Sequence, residues 1–173
     1  MSERRAHESE DVEIVDAHDA ARLEDVRILW RAYAASVTRE EGGAAVLHAQ
    51  DFEGELAALP GDYAPPHGLL LVALVDGVPS GCIALRPLEG DVAEMKRLFV
   101  HPERRGMSLG FKLVDRLLER ARGLGYARVR LDTLPFMRNA VRLYRAFDFE
   151  EIAPYREPVL HGSRYFERTL DGI

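Results

Sequence analysis

The chain has 173 residues, 47% of them apolar and 30% charged, which suits one globular domain with a substantial core. Its net charge of −6 disfavours general affinity for nucleic acid, so an anionic ligand has to be held locally, against the overall field. A lone cysteine, Cys82, excludes an internal disulfide; the apolar run Leu69 to Val75 is too short to span a bilayer; and the charged stretch Met1 to Asp11 lacks the apolar centre of a secretory signal.

Residues 1–10 are polar and read as a flexible terminus. Val12 to Val15 has a short strand pattern. From Ala17 to Val37, the residues Leu23, Val26, Trp30, Tyr33 and Val37 step by three and four, which makes one helix face apolar. Asp19 or His18 is placed to cap its start. Gly42 and Gly43 break the pattern. A shorter helix is predicted from about Gln50 to Leu59, stopped by Pro60-Gly61, and Asp62 to Gly68 reads as a loop. The period then changes. Leu69 to Val75 is an apolar strand, Asp76-Gly77 a hairpin signal, and Ser80 to Leu85 the returning partner. Pro87 to Asp91 makes another turn before a third strand, Val92 to Val100, so the three strands form an antiparallel meander.

A helix then starts near Ser108, with Leu109, Leu113, Leu117 and Ala121 on one face, and ends at Gly123 and Gly125. Ala127 to Thr133 is a strand, Phe136 to Phe147 a helix, and Phe149 to Ile152 and Tyr165 to Leu170 are strands. The order β-α-α-β-β-β-α-β-α-β-β implies an α/β chain, with a mixed sheet and helices on its faces. The unit from Val92 to Thr133 is expected to be a right-handed parallel crossover. A single domain over residues 11–173 is the expectation, in a soluble, cytoplasmic protein with no nucleic-acid or membrane partner; a homodimer is left open.

One loop stands out. In "HPERRGMSLGFKLVDRLLERA", His101 to Ala121, two arginines and three small residues lie at the mouth of a helix. Such a mouth collects unpaired N–H groups and partial positive charge. Gly106 lets backbone approach a ligand, Gly110 leaves room against the first turn, and Arg104 and Arg105 can grip an anion bidentately. The group that fits is of pyrophosphate size. The loop alone is equally open to a plainer reading, in which Ser108 caps the helix and the arginines are solvated. A nucleotide P-loop is excluded, because Phe111-Lys112-Leu113 follows Gly110 where Lys-Ser/Thr is required, and three glycines at dinucleotide-binding spacing are missing.

"LFVHPERRGMSLG" followed by an amphipathic helix resembles the acetyl-CoA-binding motif of the GCN5-related N-acetyltransferases, Arg/Gln-x-x-Gly-x-Gly/Ala, with Arg105, Ser108 and Gly110 at its fixed positions. Ser108 stands where the family has glycine. "NAVRLYRAFDF", Asn139 to Phe149, is similar to the family's Asn…Leu-Tyr-x-x-x-Gly-Phe helix, with Asp148 in place of glycine. The resemblance implies the GNAT fold, a mixed, mostly antiparallel sheet of six to seven strands flanked by about four helices. It also implies transfer of an acetyl group from acetyl-CoA, with no metal, to an amine on a small molecule, amino acid or peptide.

The resemblance assigns the co-substrate to the backbone of Leu98, Phe99 and Val100, to the loop Arg104, Arg105, Gly106, Met107, Ser108, Leu109 and Gly110, and to Asn139. A splay between the Val92–Val100 and Ala127–Thr133 strands would form the slot. Tyr144 matches the tyrosine that protonates the departing thiolate; otherwise it is a core aromatic. Glu94 is the candidate base for the amine, or else a residue of the sheet surface. Asn139 would otherwise be a helix-surface residue. The segment Ser36 to Leu47 is where acceptor contacts are sought. The six histidines show no metal-ligand spacing, and Cys82 reads as core. The competing class is a non-catalytic acyl-CoA-binding regulatory module.

Overall fold

The computed structural model describes residues 10–157, 159 and 162–171. The terminus expected to be flexible lies, but for Glu10, outside the described residues. Seven strands and five α-helices follow in the order β1 (Val12–Asp16), α1 (Ala20–Thr38), α2 (Gly43–Ala49), α3 (Phe52–Ala57), β2 (Leu69–Val75), β3 (Val78–Glu89), β4 (Val92–Val100), α4 (Leu109–Gly123), β5 (Arg128–Thr133), α5 (Arg138–Ala146), β6 (Glu150–Ile152) and β7 (Arg164–Thr169). Asp19 caps α1, its Oδ1 accepting from the Arg22 N–H at 2.9 Å.

Three expectations change. The glycine pair after α1 opens a helix as well as ending one. Gly42 takes a left-handed turn at φ 78, and a Cβ on Gly43 would lie 1.9 Å from the Val37 carbonyl oxygen, so only glycine permits this corner into α2. The helix predicted from Gln50 to Leu59 shrinks to α3, because Asp51 turns left-handed at φ 50 before it. Strand β3 also runs through Pro87 to Glu89; an irregularity between Pro87 and Glu89 absorbs the proline, and the turn is left to Gly90 and Asp91.

The sheet order is β1-β2-β3-β4-β5-β7-β6. β4 and β5 pair in parallel and the other neighbours are antiparallel, so the meander and the parallel crossover pairing are both present. Strand β2 is buried on both faces. Leu69, Leu71, Ala73 and Val75 join the core under α4, with Leu113, Leu117 and Ala121. Leu70, Val72 and Leu74 join the core under α1, with Val26, Leu29 and Trp30. The parallel joint is short. Val92, Ala93 and Glu94 pair with Arg128, Val129 and Arg130, after which β4 and β5 part. The expected splay is therefore present, and it opens beyond Glu94.

Candidate active site

The loop after β4 leads into α4 with a backbone that keeps the helix mouth open. Gly106 has φ 88, and a Cβ there would meet nothing within 4 Å, so the backbone at this point faces open space. Ser108 occupies the N-cap position in a left-handed conformation (φ 59, ψ 25), and its side chain caps no helix N–H. The plainer reading of Ser108 as a capping residue is thereby corrected. The first turn of α4 keeps its donors and its positive dipole end for something else. Gly110 has a packing duty as well: a Cβ there would sit 3.3 Å from Leu143 Cδ2, so the glycine brings α4 close to α5.

A cavity of about 510 Å³ runs from this loop into the splay. It is lined by Leu98, Phe99, Val100, Arg104, Arg105, Gly106, Ser108, Leu109, Gly110 and Asn139, so the co-substrate residues expected from sequence converge on it, with one exception. Met107 packs its side chain on the α4 core instead. Ser36, Val37 and Glu40 close the opposite wall. Tyr33, Leu98 and Met137 also line an adjoining chamber of about 40 Å³, to which Tyr144 contributes. The Tyr144 ring packs against Phe149 at 5.9 Å and Phe166 at 6.4 Å. Burial pushes its phenol above the ordinary tyrosine range, and the neighbouring Tyr33 and Asp132 add to the shift, so the hydroxyl keeps its proton at neutral pH.

Beyond the chamber a third cavity opens, of about 230 Å³. Gln50, Lys96, Arg97 and Asp132 line both spaces and form the passage between them. The three cavities thus adjoin in a row through shared lining residues, a path whose middle and smallest chamber is lined by Tyr144.

A β-bulge puts charge along this path. Between Lys96 and Phe99, β4 advances three residues while β3 advances only from Ala84 to Cys82, and Arg97 takes φ 60 to accommodate the extra residue. The bulge reverses side-chain parity. Ala93 and Met95 face the α4 core before it, and Leu98 and Val100 face that core after it. Arg97 is thereby turned away from α4. Its guanidinium lies over the rings of Phe52, Trp30 and Tyr33 at 5.0, 5.5 and 5.6 Å, donates to Gln50 Oε1 at 2.9 Å, and meets Glu55 Oε2 at 2.5 Å. The carbonyl of Arg97 accepts from the Cys82 thiol at 3.4 Å.

Glu94 lies one step from the splay and is fully buried. Arg86 donates to its Oε1 from Nε at 3.0 Å and from Nη2 at 2.8 Å; Tyr155 and Arg156 donate to its Oε2 at 2.8 and 2.5 Å. Burial alone would raise this carboxyl, but Lys96, Arg156 and Arg86 and the Tyr155 hydroxyl outweigh it and hold Glu94 below the usual carboxylate range. A general base needs a free lone pair facing the substrate and a proton affinity to match. Glu94 lines none of the three cavities and has both oxygens engaged, so its geometry is that of a buried counter-ion. The carboxylate at the passage is Asp132, 3.7 Å from Lys96 Nζ and 3.5 Å from Arg156 Nη1. Lys96 is buried, which pulls its ammonium down from the ordinary lysine value against the attraction of Asp132 and Glu94.

Sequence reasoning missed Lys96, Arg97, Asp132, Arg86, Glu55 and Arg156. A signal was present for the first two: three charges, Glu94, Lys96 and Arg97, stand inside an otherwise apolar central strand. Among the described residues no three His, Cys, Asp or Glu side chains are grouped to hold a metal ion, and no helix is long and apolar enough to cross a membrane.

Residues 26–149 match the model of the acetyltransferase (GNAT) family. The chain belongs to that family. An uncharacterized N-acetyltransferase of Schizosaccharomyces pombe is 44% identical over 108 residues, covering 61% of this chain and 66% of that protein, so the match spans just under two thirds of the relative's length. Among solved structures, a GNAT-family acetyltransferase from Staphylococcus aureus has the same fold, with a TM-score of 0.75 at 20% identity over 93% of this chain and 100% of that one. The PaiA N-acetyltransferase of Thermoplasma acidophilum, solved with coenzyme A, has a TM-score of 0.69 at 20% identity over 92% of this chain and 99% of that one. The GNAT fold expected from the two motifs is thus present, with five α-helices among the described residues where about four were expected.

Proposed function

We propose that this GNAT protein transfers an acetyl group from acetyl-CoA to a primary amine. The observation that carries the reading is the row of adjoining cavities, which leads from an uncapped helix mouth, by a small chamber lined by Tyr144, to a separate charged cavity. Two reactants entering from opposite ends would meet at one point, which is the arrangement that turns a bimolecular encounter into a positioned one.

The cradle suits a pyrophosphate. The first N–H groups of α4 and the open backbone at Gly106 supply donors, and Arg104 and Arg105 supply charge. Leu98 to Val100 present the edge of β4 that β5 leaves free, so their backbone can pair with an extended, amide-rich arm as a further strand would. Bound there, acetyl-CoA supplies the activated acyl group. Tyr144 donates its phenolic proton to the departing sulfur, and its raised proton affinity keeps that proton in place until then. Asp132 takes the proton from the amine, directly or through water, while Glu94 holds Arg86, Tyr155 and Arg156 in position.

Release of free CoA thiol across a panel of amines, read together with the melting temperature, tests this. Acetyl-CoA should raise the melting temperature, and at least one amine should release thiol. Binding without turnover on any amine would favour the acyl-CoA-binding module. Asp132→Asn should lower turnover by about 10²–10⁴-fold if it removes the base, and leave the acetyl-CoA shift intact.

A further inference from the structure

The third cavity, at the far end of the path from the CoA loop, has a composition that selects its occupant. Four cationic side chains surround it, Arg86, Lys96, Arg97 and Arg156. Three carboxylates answer them: Glu55 and Asp132 in the wall, and Glu94 behind it. Glu157 stands exposed at the rim, where water screens it. Inside the rim the cavity therefore carries a surplus of one cation over its carboxylates.

The oxygens of Glu55 and Glu94 are already bonded to guanidinium groups, whereas Asp132 makes only longer contacts, with one ammonium and one guanidinium. Glu94 accepts from Arg86 and Arg156, Glu55 from Arg97 and Arg86, and Asp132 faces Lys96 and Arg156. What is left over is donor capacity. Lys96 is only 5% exposed and has a single carboxylate contact, at 3.7 Å. Arg97 Nε is buried with no acceptor. Arg156 lines the cavity and keeps 30% exposure. Unanswered donors in a desolvated space are costly, and a bare ammonium entering this cavity would add positive charge to positive charge. An acceptor that carries a carboxylate beside its amine resolves both problems.

We propose that the acceptor is a free amino acid, its carboxylate held by Arg156 and Lys96 and its amine directed through the passage toward Asp132 and the chamber of Tyr144. The proposal rests on the acetyltransferase reading above and deepens it. A cavity of about 230 Å³ behind a rim of side chains has room for an amino acid with its own side chain. The chemistry balances with the components already named. The amine nitrogen forms the new bond to the acetyl carbon, the carbon–sulfur bond breaks, Asp132 receives the amine proton, and Tyr144 supplies one to the sulfur.

The test offers the twenty standard amino acids, their C-terminal amides and simple alkylamines at saturating acetyl-CoA, with thiol release as the readout. At least one amino acid should be acetylated, and its amide should lose about 100-fold or more in kcat/KM, as expected when buried charged donors are left without their carboxylate. Arg156→Gln should raise KM for that amino acid about tenfold or more, leave the KM for acetyl-CoA unchanged, and be partly rescued by Arg156→Lys. Lys96→Gln provides a second reading if Arg156→Gln melts early: it should raise the KM for the amino acid in the same way, and an unchanged KM would overturn the proposal. Amides or alkylamines used as well as the free amino acids would overturn the proposal, and so would acetyl-CoA binding with no amino acid accepted. Failure of acetyl-CoA to shift the melting temperature would overturn the proposed activity instead. Amino-acid binding, read by its own thermal shift, would then still sustain or overturn the pocket.

Discussion

Replacing Glu94 with glutamine preserves the shape of the side chain and removes its charge. In the folded protein Oε1 accepts twice from Arg86, and Oε2 accepts from Tyr155 and Arg156. A glutamine can keep one of these faces. Its amide nitrogen would point N–H groups at donors on the other. Breaking a buried ion pair by removing one partner costs about 3–5 kcal/mol. The lower end applies here, because Arg86 and Arg156 are 24% and 30% exposed and can turn toward water. For a chain of this size about 3 kcal/mol lowers the melting temperature by roughly 6–12 °C.

The loss should also depend on pH. Glu94 is depressed in the folded state, so its contribution is fully present above the unfolded value of 4.5 and disappears as the pH falls through the lower folded value. Melting curves of wild type and Glu94→Gln should therefore differ at pH 7 and converge in strong acid. The competing view of Glu94 as the general base predicts the opposite division, with an unchanged melting temperature and turnover lowered severalfold or more. That result, on folded protein with a verified acceptor, would refute the counter-ion reasoning.

Tyr144→Phe should keep the packing on Phe149 and Phe166, hold the melting temperature near wild type, and lower turnover by about 10²–10⁴-fold as measured by thiol release. Because the Tyr144 phenol is raised, the fall of the wild-type rate at high pH that belongs to this group should lie above the ordinary tyrosine value of 10.0. Arg105→Ala should weaken acetyl-CoA binding by about 1.5–3 kcal/mol in a calorimetric titration, the usual worth of a hydrogen bond to a charged group, and unchanged affinity would mark the arginine as a surface group. Cys82 is buried, its thiol bonded to the Arg97 carbonyl and pushed up to about 12, so it should stay silent toward thiol reagents in the native protein and react once the chain is denatured.

Much of the fold was legible because period and turn chemistry agree along the chain. Leu69–Val75 and Val92–Val100 were read with their observed limits, since an unbroken apolar run between Gly68 and Asp76-Gly77 in the first, and apolar ends framed by Gly90-Asp91 and Pro102 in the second, leave few alternatives. The glycine pair at 42–43 misled because a breaker that ends one helix also allows another to start at a tight corner, and that depends on contact with Val37, distant from any local rule. At the site, the loop residues were legible because a helix mouth is a local structure. The charged cavity was not. Glu55, Arg86, Arg97, Asp132 and Arg156 come from α3, three strands and the segment after β6, and only the sheet order and the bulge bring them together. Periodicity read β4 as a regular strand, and an extra residue that reverses its parity leaves no local mark.

The parting of β4 and β5 has a mechanical consequence. Strands β1 to β4 form one leaf and β5, β7 and β6 another, and the backbone seam between them is three residue pairs long. A guest lying in the gap would stitch the leaves beyond Glu94. Occupancy and cohesion of the sheet are then the same event seen from two sides, and the main-chain amides of Leu98 to Val100 on one leaf and Leu131 to Thr133 on the other become its natural gauge. Their exchange with deuterated water should slow together when the gap is filled, while the β2–β3 hairpin, stitched along its whole length, should not respond.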